Sequence, residues 1–251
     1  MRHNALKHQM RSGNPAVNAW VSLDSDHVGE VLSHAGFDSV TVDLQHGMFG
    51  LDRAISLLRS VSAGPATPLA RCSRNDAAEI GKLLDAGAYG IICPSIDSPE
   101  EARAFVASCR YPSQGVRSFG PARGLLYGGQ DYVRHADEEI LTWAMIESPS
   151  GVARAEEIIT TPDLDGIYIG PNDLAFALGN PPNGNIGEEV LGIAAELIAL
   201  AHDAGRFVGI FTRDGGEAQR LLEMGADLVT PGNDVGLLNA AAAERIAQAR
   251  Q

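Results

Sequence analysis

The sequence predicts an α/β fold, a (β/α)8 TIM barrel formed as a single domain over residues 1–251, and three observations predict it. The length of 251 residues is that of an ordinary eight-fold barrel. Eight short β-forming apolar runs alternate with helical stretches along the chain. The sets Gly36-Phe37-Asp38, Gly87-Ala88-Tyr89 and Gly225-Ala226-Asp227 each close a helix and open a strand, as the stability face of a barrel requires. An open doubly wound sheet gives similar alternation, but no charged linker or change of composition marks a second domain.

Taken in order, a polar start leads into a first strand at Ala16–Val21 and a helix over Asp26–His34. The β-branched run Phe37–Leu44 is the second strand and ends at Gln45-His46-Gly47. A helix near Asp52–Arg59 and a third strand at Thr67–Cys72 follow, the latter with its proline near the start, where a missing donor is tolerated. Asn75 is placed to cap a helix over Asp76–Asp85, before a fourth strand at Ala88–Pro94. Ser98-Pro99-Glu100-Glu101 joins an N-cap, a proline at the first helical position and an acid, which predicts a helix to about Ser108. Arg110–Arg134, with five glycines, reads as the longest irregular segment and as a functional loop. The remaining strands are Leu141–Glu147, Gly166–Gly170, Arg206–Thr212 and Ala226–Gly232. Helices are expected at Gly151–Ile159, Glu188–Ala204 and Glu217–Met224, with an alanine-rich helix at the end. A Gly/Pro/Asn-rich turn fills Gly179–Gly187.

Composition narrows the function. Nineteen basic against thirty-two acidic residues give a charge of −13, which repels nucleic acid and anionic membranes, and no basic patch offsets it. No charge-free window reaches the roughly 20 residues that cross a bilayer. No apolar signal region follows Met1-Arg2-His3-Asn4, so a cytoplasmic setting is expected. Cys72, Cys93 and Cys109 lack metal-type spacing and cannot pair completely, which fits reducing surroundings and apolar burial.

Two consecutive strands run into acids, Glu147 before Ser148-Pro149 and Asp173 in Gly170-Pro171-Asn172-Asp173-Leu174. Strand C-termini carry the chemistry of a barrel, so these two carboxylates read as hard ligands for Mg²⁺ or Mn²⁺, with Co²⁺ or Zn²⁺ as alternatives. The bland reading is helix capping. His46 stands just past the second strand as a proton relay, and Asp43 either orients that site or hydrogen-bonds locally. Arg71 ends the third strand, where it can stabilise an oxyanion or close the rim as a salt bridge. The amides of Gly170–Asp173 offer a carboxylate seat. Arg117 and Arg123 either read a second carboxylate or hold their loop. The only lysines, Lys7 and Lys82, are not at strand C-termini, which argues against Schiff-base chemistry. Rossmann, Walker and nucleophile-elbow motifs are absent.

Together, Asp43-Leu44-Gln45-His46-Gly47, Arg71, Leu83-Leu84-Asp85-Ala86-Gly87-Ala88, Ile146-Glu147 and Gly170-Pro171-Asn172-Asp173-Leu174 resemble the HpcH/HpaI aldolase/citrate lyase family over nearly the whole chain. The likeness is to its metal-dependent pyruvate aldolases of 4-hydroxy-2-oxo acids. The resemblance implies that Glu147 and Asp173 hold the metal, that His46 is the acid/base and that Arg71 stabilises an enolate. It adds Asp43 and Asp85 to the catalytic set, and implies a homo-oligomer, commonly a hexamer, with sites near subunit contacts. Asp85 precedes its strand and falls at the opposite face, so a neighbouring subunit would have to supply it. Gln45 stands where the family commonly has Glu, which alters the charge beside His46. The expected reaction is reversible cleavage to pyruvate, or hydroxypyruvate, and an aldehyde. A malyl- or citramalyl-thioester lyase and a non-catalytic, metal-stabilised barrel are the competing readings.

Overall fold

The computed structural model describes residues 1–181 and 186–251. Eight parallel strands close in sequence order, β1 (Ala16–Val21), β2 (Ser39–Asp43), β3 (Thr67–Arg71), β4 (Gly90–Cys93), β5 (Leu141–Ile146), β6 (Gly166–Ile169), β7 (Phe207–Thr212) and β8 (Leu228–Pro231), with β8 pairing back onto β1. The barrel predicted from alternation is the barrel observed. Among the described residues the helices are α1 (Ala5–Arg11), α2 (Asp26–His34), α3 (Leu51–Val61), α4 (Ala77–Asp85), α5 (Pro99–Cys109), α6 (Ala122–Gly128), α7 (Tyr132–Glu139), α8 (Pro149–Ala153), α9 (Ala155–Ile159), α10 (Pro171–Ala177), α11 (Glu188–Asp203), α12 (Gly215–Glu223) and α13 (Asp234–Ala249). None of them is long and apolar enough to cross a membrane.

The period-two alternation of each strand sorts its residues between two cores. On β5, Leu141, Trp143 and Met145 fill the barrel interior with Leu69, Ile92 and Tyr168, whereas Ala144 and Ile146 face the helices. Glu147, next in the inward series, therefore emerges at the mouth. The same parity puts Asp43 above Ser39 and Thr41, and Arg71 above Leu69. It turns Cys72 and Cys93 outward into the helix-facing core. Both are fully buried free thiols; the neighbouring Cys72 thiol and burial together push Cys93 up, and burial pushes Cys109 up to about 12. Neither Cys93 nor Cys109 is a ready thiolate.

Four local expectations are corrected. The polar start contains α1, whose Leu6 and Met10 plug the N-terminal end of the barrel. Asn4 fixes the plug: it is buried, its amide donates to the carbonyls of Tyr89 and Glu139 (2.9 and 2.8 Å), and its Oδ1 accepts from Lys7 N–H at the helix start. Asn4→Ala removes the cap and the side-chain donor to the Glu139 carbonyl, while the Tyr89 carbonyl keeps the Leu141 N–H, so a loss of roughly 1–3 kcal/mol is expected, read as a lower urea midpoint. The segment 110–134 is not irregular throughout but holds α6 and the start of α7, organised by apolar and cation–π contacts that a glycine-rich composition conceals. Asp76, not Asn75, caps α4, because its carboxylate accepts from both Ala78 and Glu79 N–H. The helix behind β5 breaks at Arg154 into α8 and α9. The 182–185 part of the expected Gly/Pro/Asn turn lies outside the described residues.

Candidate active site

At the C-terminal mouth a cleft of about 510 Å³ is lined by Trp20, Asp43, His46, Arg71, Met145 and Gly170 through Asp173, among others. No lysine lines it, and Lys7 lies at the opposite end, buried in an ion pair with Asp165 at 2.6 Å.

Strand register builds the first part of the site. Asp43 and Arg71 are direct partners across β2 and β3. The guanidinium donates through Nε and Nη2 to the two carboxylate oxygens, at 2.8 and 2.6 Å, in a buried fork. Trp20 Nε1 donates to Asp43 Oδ2 at 3.0 Å, and Arg71 lies over the Trp20 ring at 4.9 Å. Burial would push Asp43 up, but the Arg71 hydrogen bonds and charge, Trp20 and the His46 N–H hold its carboxyl below the usual range. Arg71 is thus held in place at the cleft. Asp43 Oδ1 also accepts from the N–H groups of Gln45 and His46, which fixes the turn carrying the exposed His46. Gly47 lets this turn close, since a Cβ there would collide with the Asp43 carbonyl and the Phe49 ring. Gln45 Oε1 is buried without a partner among the described residues.

Glu147 builds the second part. One oxygen, Oε1, accepts from Ser95 N–H (2.8 Å) and Ser95 Oγ (3.1 Å), and Ser95 adopts a positive φ of 54° to aim both. The other oxygen, Oε2, is buried with no hydrogen-bond partner among the described residues. Burial pushes the Glu147 carboxyl up and the nearby Asp173 charge adds to this, opposed by Ser95 and Arg71. An unpartnered buried carboxylate oxygen beside a second acid is the donor set a hard divalent cation takes. Asp173 stands in the first turn of α10, exposed on the cleft, where the Asn172 and Asp173 amides have no intrahelical acceptor. Gly170 packs against Glu147: an added Cβ would lie 2.6 Å from Oε2 and 2.8 Å from Met145 Cε. Gly170→Ala is therefore expected to displace the Glu147 carboxylate and weaken divalent-ion affinity by tenfold or more, measured by Mn²⁺ titration, with little change in overall fold.

Asp85 and Arg123 do not join these residues within one chain. Asp85 ends α4 at the opposite face, where Arg117 Nη2 donates to it at 2.9 Å, and Arg123 Nη1 donates to the Ala86 carbonyl at 2.7 Å. Both arginines hold their segment here. Sequence reading missed Ser95, Trp20 and Met145. Ser95 follows Cys93-Pro94 at a strand tip, a position that could have marked it; the inward parity of Trp20 and Met145 offered the same signal.

A second group able to hold a divalent ion lies at the N-terminal end, where His3, His8 and Glu139 each offer one ligand atom and all three atoms lie within 4.8 Å of one another.

A closed parallel barrel with two acids, a clamped arginine and an exposed histidine around one C-terminal cleft defines a class: barrel enzymes with residues suited to binding a metal and a small oxygen-rich substrate. The chain belongs to the HpcH/HpaI aldolase/citrate lyase family, whose profile matches residues 17–241. It is 38% identical over 248 residues to a hydroxypyruvate/pyruvate aldolase of Rhizorhabdus wittichii, covering 98% of this chain and 99% of the relative. It is 32% identical to a 4-hydroxy-2-oxo-heptane-1,7-dioate aldolase of Klebsiella pneumoniae, covering 94% and 90%. The crystal structure of a family member from Burkholderia cenocepacia superposes with a TM-score of 0.91 at 32% identity, covering 99% of this chain and all of the other.

Proposed function

We propose that this protein is a divalent-metal-dependent aldolase, a carbon–carbon lyase that reversibly cleaves 4-hydroxy-2-oxo acids to pyruvate, or hydroxypyruvate, and an aldehyde. The observation that carries this reading is the buried, unpartnered Glu147 Oε2 within the electrostatic reach of Asp173, which lines the cleft together with the clamped Arg71. Glu147 and Asp173 would hold the ion, Mg²⁺ or Mn²⁺ by donor hardness, with Co²⁺ or Zn²⁺ also compatible with carboxylates. Bound there, such an ion supplies Lewis-acid polarisation of the 2-keto group.

The chain's own residues do the rest. The Asn172 and Asp173 amides, at the start of α10 after Gly170-Pro171, seat the substrate carboxylate. His46 takes the C4-hydroxyl proton through a water as the C3–C4 bond breaks, releasing the aldehyde. Arg71, held immobile by Asp43, stabilises the negative oxygen of the enolate left behind, and reprotonation of that enolate gives the keto acid. The apolar Trp20 and Met145 walls limit water around that carbanion equivalent.

A homo-oligomer, a hexamer by family likeness, is part of the same reading. Nearly every residue of α13 after Asp234 is exposed, Leu238 and Ile246 included, which supports a covering copy. In such an assembly Asp85 and Arg123 would approach a neighbour's mouth. The buried free cysteines suit the reducing cytoplasm.

A coupled screen for release of pyruvate or glyoxylate tests the assignment. EDTA-treated protein is offered small 4-hydroxy-2-oxo acids and malyl or citramalyl thioesters, before and after addition of Mg²⁺, Mn²⁺ or Co²⁺. Metal-restored cleavage of the hydroxyketo acids is expected; turnover of thioesters alone would replace this reading with the lyase one.

A further inference from the structure

We propose that His3, His8 and Glu139 form a transition-metal site of their own, where Zn²⁺, Ni²⁺ or Cu²⁺ ties the N-terminal segment to the end of α7. The group sits at the N-terminal end of the barrel, beside the α1 plug and away from the catalytic cleft.

The geometry is already close to that of a coordinated ion. His3 Nδ1 stands 2.9 Å and His8 Nε2 3.8 Å from the same Glu139 oxygen, Oε1. Ligands held at about 2.0–2.2 Å around a tetrahedral ion stand roughly 3.4 Å apart. The two distances bracket that value, so small rotations of exposed side chains complete the set. The imidazole rings meet edge to face at 5.3 Å, which keeps both nitrogens directed at one carboxylate instead of stacking the rings.

Glu139 is the preorganised member. Its Oε2 accepts the Asn4 backbone N–H at 2.6 Å, and its own carbonyl accepts from the Asn4 amide at 2.8 Å. Asn4 is fully buried. This anchoring fixes the carboxylate plane and leaves Oε1 turned to the histidines, the outer support that ligating carboxylates have in built metal sites. His3 and His8 are exposed, so water completes the coordination sphere.

The donor sets divide the metals. Two imidazoles and one carboxylate prefer borderline ions, whereas the all-oxygen pair Glu147 and Asp173 prefers Mg²⁺ or Mn²⁺. An ion at the first site bonds residues on both sides of the α1 junction and stabilises the folded chain by linkage. This inference does not depend on the aldolase assignment.

The test compares the full chain with a His3→Ala/His8→Ala variant, both substituted side chains being exposed. CuCl2 and ZnCl2 are titrated calorimetrically in saturating MgCl2. The wild type is expected to bind one more tight equivalent than the variant, and that Cu²⁺ shows two imidazole nitrogens by electron paramagnetic resonance. Zn²⁺ is expected to raise the wild-type Tm by about 3 °C or more beyond the shift it gives the variant. Glu139→Gln lowers the extra affinity at least tenfold. Equal uptake by both proteins, a copper spectrum without those nitrogens, or loss of the extra equivalent in Glu147→Gln would overturn the proposal.

Discussion

Glu147→Gln is expected to lower kcat/KM for metal-dependent cleavage by ~10³-fold or more, several kcal/mol of transition-state stabilisation, while the barrel stays folded. Glutamine keeps an oxygen to accept from Ser95 but loses the anionic, partnerless Oε2 that a cation requires. Stability should move the other way in metal-free protein. Burial raises the folded-state carboxyl above its unfolded value, so ionised Glu147 disfavours the folded form once pH climbs past the ordinary glutamate range. The glutamine variant, with no charge to bury, is expected to equal or exceed the metal-free wild type in urea midpoint at pH 7. The same shift makes protons strong competitors for the site. Mn²⁺ affinity of the wild type should begin to weaken on acidification while the pH is still above 4.5, the ordinary value for a glutamate. Titrations at several pH values read both effects, and pH-independent affinity between pH 5 and 8 with full activity in the variant would remove Glu147 from the metal site.

Arg71→Met is expected to act on both turnover and stability. Loss of the cation beside a developing enolate oxygen should reduce kcat by about 10²–10³-fold. It also leaves Asp43, 1% exposed, without its bidentate partner, which costs roughly 3–5 kcal/mol. Asp43→Asn added to Arg71→Met removes the stranded charge, so the double variant should recover much of the stability and none of the turnover. That split separates the structural pair from the catalytic cation. Asp43 in the wild type is held below its unfolded pKa, so its contribution to stability is complete above about pH 3.8 and is lost only as pH falls through the lower folded value. Acid loss of activity at pH 5–6 would therefore point away from this pair.

The barrel was legible because strand and helix periods differ and eight alternations occupy the right length. Strand polarity also located Glu147, Asp173, His46 and Arg71 at one mouth before any contact was known, and it made Asp85 conspicuous at the wrong end. The Asp43–Arg71 fork was not legible, since it depends on the register between β2 and β3, which parity alone does not set. Ser95 was hidden for a different reason: its role rests on a positive φ that a Pro-Ser sequence does not announce. The plug formed by α1 was missed because only Leu6 and Met10 of a helix rich in His, Lys, Gln and Arg turn inward, and their partners lie on distant strands. Helix α6 escaped notice because its glycines, Gly124 and Gly128, suit close packing on Tyr132 as well as turns.

Anomalous X-ray diffraction from crystals grown with Mn²⁺ and pyruvate is the most direct test of where the chemistry occurs. One manganese peak shared by the Glu147 and Asp173 carboxylates, with pyruvate within reach of Arg71, is the predicted result. Pyruvate bound in the cleft with no manganese between those two carboxylates would contradict it.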